Sequence, residues 1–333
     1  MKPLLHIISH TDLDGVAAAA LAWHAHYQDR KPLKVSLTGY GEVDNLILES
    51  LQKGQEPLVL DLFCQRRQTV DELDRLFGAD AVPFLFDHHK STFELYANRP
   101  WAVVDTGYCG ALVYWRWLMA QELSSKTRKS VERMEPFVLL ANDRDLWLGQ
   151  NPDGRLWQGL ITLCGAWAVL MRLVDNPSPV LTQGERESAE HFISCQEARF
   201  MRAQESIQRM GGDLAFLGDG ILEFGDVSDF CGLVLDRSEN PPQVAAIAAK
   251  RPAGDWAVSL RSRDEVAGKI VALLKDGKKV RGGGHGDAAA LYFPAHYKEE
   301  QIRESLAAAI KTECERNQPT GVTLGDLLRA KQG

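Results

Sequence analysis

The sequence contains no Cys-x-x-Cys pair: its six cysteines, Cys64, Cys109, Cys164, Cys195, Cys231 and Cys314, are scattered. That spacing argues against a cysteine-ligated structural zinc and a disulfide framework. It fits buried free thiols in a reducing compartment, so a cytoplasmic location is expected. No apolar run reaches the length of a membrane span, and the N-terminus lacks the basic-then-apolar layout of a secretory signal, so no membrane partner is expected. Excess positive charge is missing as well. A formal net charge of -7 over 333 residues argues against bulk electrostatic adhesion to long nucleic acid and leaves any anionic substrate to local groups. There is no internal repeat and no low-complexity tract. What remains is an ordinary globular composition, 45% hydrophobic and 25% charged, in a chain long enough for two domains.

The densest chemistry lies in His10-Thr11-Asp12-Leu13-Asp14-Gly15. An imidazole and two carboxylates follow the apolar strand-like run 4–8 and precede the Ala-rich helical run 16–21. In extended backbone His10, Asp12 and Asp14 alternate with Thr11 and Leu13 and would point to one side, where a hard or borderline cation could be held. Gly15 lets the turn tighten. The plainer alternative is that Asp12 and Asp14 cap the helix and His10 is a satisfied polar residue.

Further strands are expected at 33–38, at 57–60 ending in Asp61, at 83–86 ending in Asp87-His88-His89, and at 101–104 ending in Asp105. Their alternation with amphipathic helices implies a parallel sheet, whose ligand site lies beyond the carboxyl ends of the strands near a switch in strand order. Polar clusters at several such ends outweigh the capping alternative. Residues 110–123 and 126–140 read as helices, the second leading into Asn142-Asp143-Arg144-Asp145-Leu146-Trp147. The aromatic stretch 147–173 reads as core rather than as a cleft lining. A long charged helix, 183–210, links to a second α/β unit with strands at 214–217, 221–224, 244–248 and 256–260. A helix at 266–274, a flexible Gly282-Gly283-Gly284-His285 turn and a closing helix at 299–316 complete it. The expected domains are 1–182, a helical linker 183–212, and 213–333.

His10, Asp12, Asp14, Asp61, His88, His89 and either Asp143 or Asp145 supply enough donors for two cations. Carboxylates with a minority of imidazoles suit Mn2+, with Mg2+ an acceptable substitute. Two such ions, about 3.5–4 Å apart, clamp the attacking and leaving oxygens of a phosphoryl displacement, which implies phosphoester hydrolysis. In the second unit Gly282, Gly283 and Gly284 can present backbone N–H groups to an anion. Arg261, Arg263, Lys275, Lys278, Lys279, Arg281 and His285 surround them in sequence. The plainer readings are turn geometry and a solvated helix end.

The four motifs, His10 to Gly15, strand-end Asp61, Asp87-His88-His89 and Gly282-Gly283-Gly284-His285, resemble in kind and order those of the DHH phosphoesterases with a C-terminal DHHA1 domain. The resemblance covers most of the chain. It implies an N-terminal parallel-sheet DHH domain, a smaller C-terminal α/β DHHA1 domain, and an active site in the cleft between them. It implies one metal on His10, Asp12 and Asp61 and another on Asp14, Asp61, His88 and a later aspartate, with Asp61 bridging. His89 would bind the phosphoryl group or support the leaving oxygen, and the glycine turn with His285 would hold the far end of the substrate. The later aspartate departs from the family's Asp-Thr-Gly context. Asp143 is the first choice and Asp145 the alternative, while Asp105-Thr106-Gly107 reads as a sheet-end turn. Within the family the chain is similar to compact two-domain members that degrade very short RNA to mononucleotides and act on nucleoside bisphosphates such as 3′-phosphoadenosine 5′-phosphate. Single-stranded DNA exonucleases and cyclic or linear dinucleotide phosphodiesterases are the neighbouring alternatives. A homodimer is compatible with the sequence. Two other readings remain: a haloacid dehalogenase-type phosphatase with Asp12 as nucleophile, disfavoured by Asp87-His88-His89, and a non-catalytic nucleotide-binding module, disfavoured by the full ligand set.

Overall fold

A computed structural model describes residues 3–28, 31–96, 98–211, 213–236, 240–275 and 279–317. The chain divides into two compact units, Met1–Ser194 and Cys195–Gly333. The first begins with five βα steps: β1 (Leu5–Ser9), α1 (Leu13–Tyr27), β2 (Leu33–Leu37), α2 (Val43–Gln52), β3 (Glu56–Leu60), α3 (Arg67–Leu76), β4 (Leu85–Asp87), α4 (Lys90–Tyr96), β5 (Ala102–Val104) and α5 (Gly110–Met119). Helices α6 (Ser125–Asp145), α7 (Asp153–Cys164), α8 (Ala166–Asp175) and α9 (Gln183–Ser206) follow. All strand pairings are parallel, in the order β2-β1-β3-β4-β5.

Helices cover both faces of this sheet, so its inner strand β1 is buried along its whole length, with His6 and Ser9 hydrogen-bonded among apolar residues. Leu5 and Ile7 of β1 join the core of α1 and α5, while Ile8 joins Val43 and Ile47 of α2 on the other face. The Ala-rich α1 shows no amphipathic pattern because it has no solvent face: residues from Val16 to Ala22 are fully buried. Its small side chains let α5, α6 and α8 approach closely. Strand order reverses at β1 and β3, so the loops leaving these strands open at a topological switch point.

The second unit contains β6 (Gln208–Met210), β7 (Leu214–Leu217), α10 (Val227–Asp236), β8 (Val244–Lys250), β9 (Trp256–Ser262), α11 (Val266–Leu274), β10 (Arg281–His285), β11 (Ala288–Phe293) and α12 (Glu299–Asn317). Its sheet runs β10-β11-β9-β8-β7-β6, antiparallel except for β7 with β8. Period-two alternation divides two cores: Val244, Ala246 and Ala248 of β8 pack with α11 and α12, whereas Ala245 and Ile247 pack with Phe230 of α10. No single helix among the described residues is long and apolar enough to cross a membrane.

Several local expectations are corrected. Asp14 lies inside α1, not in extended backbone, because Asp12 caps the helix: its carboxylate accepts the Gly15 N–H at 3.0 Å. Gly15 has no left-handed backbone to accommodate; a Cβ there would lie 2.5 Å from the His10 carbonyl oxygen, so the helix start needs a residue without one. Residues 221–224 form no strand. The side chains of Glu223 and Asp226 reciprocally cap a short 3-10 helix, Phe224–Asp226. The expected linker helix stops at Ser206, and Gln208–Met210 becomes an edge strand. Nor is α9 merely a connector: Ala189 belongs to the core of the first unit, Phe200 and Ala203 to that of the second. Finally, Gly282 to His285 is no turn but the edge strand β10. Gly282 and Gly284 lie against β11, where a Cβ would fall within 3 Å of Leu291 or Ala289.

Candidate metal centre

Asp61 is the hinge of the arrangement. It leaves β3 in the left-handed region, at φ 54°, a conformation that aspartate adopts more readily than most residues but which is held here by its surroundings. Its carboxylate is 1% exposed, and neither oxygen has a hydrogen-bond partner among the described residues. Three donor groups converge there: His10, Asp12 and Asp61; Asp14, His88 and Asp145; and Asp61 with Asp87, His88 and His89. His10 Nδ1 lies 2.7 Å from Asp12 Oδ2 and 3.9 Å from Asp61 Oδ2. His88 Nε2 lies 3.4 Å from Asp61 Oδ1, 3.5 Å from Asp145 Oδ2 and 3.8 Å from Asp14 Oδ2.

Each side chain is placed by its element. Asp14, in the first turn of α1, accepts the Gly110 and Ala111 N–H groups at 2.6 and 2.8 Å, and so sits at the positive end of α5. Ser9 donates to the carbonyls of Gly15 and Leu60, fastening the end of β1 to both α1 and β3. Asp87, fully buried at the end of β4, accepts the His88 N–H at 2.8 Å, Thr92 Oγ1 and His89 Nδ1, the last at 2.7 Å. It therefore orients His89. The other ring nitrogen of His89 faces the Tyr40 hydroxyl at 2.9 Å.

The electrostatics call for a cation. Burial, then the charges of Asp14 and Asp12, raise the Asp61 carboxyl well above its ordinary range. The same causes push Asp145 up to about 8. Burial lowers His88, so its imidazole stays neutral and keeps a lone pair. For His10 burial acts in the same sense, but the adjacent Asp12 outweighs it and raises the imidazole. Buried carboxylates that cannot all ionise together, an unpartnered Asp61 and a neutral imidazole form a donor set suited to divalent metal.

The two choices for the last ligand are separated by position. Asp143 points away, its carboxylate accepting the Gln150 and Asn151 N–H groups at 2.8 and 3.0 Å. Asp145, at the end of α6, faces His88. Asp105 forms the expected turn by accepting the Gly107 N–H. Tyr40 and Phe63 were missed from sequence. Tyr40 packs against His10, Phe63 and His89, and its one available signal was its place just after β2, at the same edge of the parallel sheet.

In the second unit, Arg261 is bonded to Leu260 and Ser228, and Arg263 to Leu235 and Asp236 at the end of α10. These contacts tie both cations to their own unit. Lys278 lies outside the described residues.

Residues 214–312 match the DHHA1 domain family. The chain carries a DHHA1 domain. That domain spans most of the second unit, from β7 to α12. No curated protein sequence matches the chain. Among solved structures, the chain resembles the pGpG-specific phosphodiesterase PggH of Vibrio cholerae, with 14% identity, a TM-score of 0.52 and coverage of 93% of this chain and 99% of that one. RecJ of Thermus thermophilus in complex with Mn2+ gives 13% identity and a TM-score of 0.60, covering 94% of this chain and 52% of that one. CDC45 of Entamoeba histolytica gives 7% identity and a TM-score of 0.58, with 93% and 95% covered. At such identities the likeness is one of fold. A parallel-sheet unit followed by a DHHA1 domain, as the motifs implied, is what the chain has.

Proposed function

We propose that this protein is a metal-dependent phosphoesterase that hydrolyses short, single-stranded nucleic acid, including linear dinucleotides, to mononucleotides. The observation that carries the reading is Asp61: a buried carboxylate without a hydrogen bond among the described residues, shared by two groups of metal-type donors at a sheet switch point. His10, Asp12 and Asp61 would hold one ion, and Asp14, Asp61, His88 and Asp145 the other. Mn2+ is favoured by the mixture of imidazole and carboxylate, with Mg2+ as the alternative. When bound, the ions supply Lewis acidity to the phosphoryl oxygens and a nucleophile at neutral pH. Asp87 fixes the ring of His89, and the His89 and Tyr40 pair would hydrogen-bond a non-bridging or leaving oxygen. In the DHHA1 domain, Gly283, with no neighbour within 4 Å of where a Cβ would stand, and His285 are the groups we assign to substrate binding; Arg261 and Arg263 are held instead by Leu260 and α10.

Short substrates are favoured on two grounds. The net charge of -7 opposes long polyanions. PggH, whose named substrate is the dinucleotide pGpG, is spanned almost entirely by this chain, while the coverage of RecJ is 52% of one structure and 90% of another. Nucleoside 3′,5′-bisphosphates remain a second substrate class, and a cytoplasmic location is the one we propose, on the free thiols, of which Cys164 and Cys195 are exposed rather than buried.

The test is hydrolysis of a panel: pGpG, di- to pentaribonucleotides, a nucleoside 3′,5′-bisphosphate, longer single-stranded DNA and a cyclic dinucleotide, each with Mn2+, Mg2+ or EDTA. Mononucleotide masses accumulating fastest from the shortest linear substrates, and only with metal, are expected. Turnover confined to long DNA would replace the substrate assignment, and no turnover with two ions bound per chain would remove the enzymatic one.

A further inference from the structure

Helix α5 begins against the metal centre, and its first N–H groups are received by side chains from two other helices. Cys109, the N-cap residue, makes no side-chain cap, so the N–H groups of Cys109, Gly110 and Ala111 need outside acceptors. Asp14 of α1 accepts those of Gly110 and Ala111, one on each carboxylate oxygen. Asn142 of α6 accepts that of Cys109 on Oδ1 at 2.9 Å. The partner fixes the orientation of this amide, because a backbone N–H can meet only its oxygen. Both Asn142 and Cys109 are buried.

The same turn touches Asp61. A Cβ on Gly110 would stand 3.0 Å from Asp61 Cβ and 3.1 Å from both Asp61 Cα and Asp14 Oδ2. Only a residue without a side chain lets the helix approach so closely. The start of α5 is therefore wedged between Asp14, which belongs to one donor group, and Asp61, which is shared. Asn142 lies on α6 one turn before Asp145, so its bond to Cys109 ties α5 to the element that carries the third carboxylate around His88.

We propose that the start of α5, clamped by Asn142, sets the separation of Asp14 and Asp61 and so decides whether a second ion is held. Asn142 and Gly110 are thus positioning residues, not ligands. This inference rests on the metal-centre reading above. Without Asn142 Oδ1 the Cys109 N–H is buried with no acceptor and the first turn shifts to find one. Asp14 follows, because both of its oxygens are tied to that turn. The ion on Asp14, Asp61, His88 and Asp145 loosens. The pair of His10 and Asp12, 2.7 Å apart, makes none of these bonds and keeps its ion.

The test is titration of the full-length protein with Mn2+, followed by EPR. Wild type is expected to bind two ions per chain, with a spectrum coupled through the shared carboxylate. Asn142→Ala should weaken one ion by about 10–100-fold, leave the other unchanged and turn the spectrum into that of isolated ions. Asn142→Asp, which keeps an acceptor of the same reach, should hold both. Gly110→Ala favours the helix yet forces Asp14 and Asp61 apart, so it should also lose the coupled pair, and it decides the matter if Asn142→Ala does not fold. Melting curves in EDTA identify the folded variants. Two equally tight ions in folded Asn142→Ala, a coupled pair intact in Gly110→Ala, or a loss in Asn142→Asp equal to that in Asn142→Ala overturns the inference and leaves the metal centre standing. A wild type that holds fewer than two ions overturns the metal reading itself.

Discussion

Asp61 Oδ1 stands 3.4 Å from His88 Nε2, yet neither oxygen of the Asp61 carboxylate makes a hydrogen bond among the described residues. An ordinary buried carboxylate would be paired with a donor. A carboxylate and an imidazole facing each other in this way are a donor pair suited to a shared cation, and the first expectations concern them.

Asp61→Asn should lower kcat on the shortest substrate by at least about a thousandfold, because the loss of a shared ligand disassembles both metal groups. His285→Ala should cost far less, since we assign it to substrate positioning alone. In EDTA, Asp61→Asn should melt no lower than wild type, because the charge it removes is one that the fold already disfavours. Metal content by mass spectrometry, kcat and melting temperature together check this. Equal kcat losses at equal metal occupancy would sink the bridging role.

Asp143 and Asp145 should separate cleanly. Asp143→Asn weakens the carboxylate's hold on two backbone amides and should cost about 1–3 kcal/mol of stability with metal stoichiometry unchanged. Asp145→Asn should instead weaken metal binding, with little loss of stability in EDTA. Chemical denaturation and equilibrium metal binding on both variants distinguish the outcomes.

Metal removal should make stability depend on pH. A carboxylate raised to about 8, as Asp145 is, binds its proton more tightly in the folded state than in the unfolded chain. Its contribution is therefore full below the unfolded value of 3.8 and is lost as the pH rises through about 8. Between pH 6.5 and 8 the metal-free protein should lose up to about 2 kcal/mol, a slope that Asp145→Asn flattens. Mn2+ binding at pH 7 should release protons, seen as a calorimetric enthalpy that varies with the ionisation heat of the buffer.

His6 should act with the opposite sign. Burial and then Lys34 lower it to about 4, and it lies between the hydroxyls of Ser50 and Ser36 at 2.5 and 2.8 Å. Its neutral form stabilises the fold above the unfolded value of 6.5, and this is lost as the pH falls through about 4. The difference in unfolding free energy between wild type and His6→Gln should shrink by up to about 3 kcal/mol from pH 7 to pH 4.

Tyr40→Phe removes the hydroxyl that meets His89 and keeps the ring that packs on His10. A loss of about tenfold in kcat at unchanged metal content is expected from steady-state kinetics, in line with a single positioned hydrogen bond. No change in kcat would assign the tyrosine to packing alone.

The parallel sheet and the membership of the cluster were legible in the order of residues, because both are written locally. Apolar runs ending in Asp61 and in Asp87-His88-His89 are strand ends whatever surrounds them, and parallel strands bring their carboxyl ends to one edge. The match of residues 214–312 to the DHHA1 domain likewise rests on a contiguous stretch. What depends on direction and on distant partners emerged only when the chain was folded. Asp143 and Asp145 are two residues apart on one helix and so point differently; only the loop amides of Gln150 and Asn151 draw one away, leaving the other facing His88. Tyr40 carries no motif in sequence and reaches His89 because β2 lies beside β1. Gly282 to Gly284 have the composition of a turn, yet close packing on β11 makes them a strand. Local pattern fixes which elements form. Which atoms meet is settled by burial and hydrogen bonding across the chain, and these have no local signature.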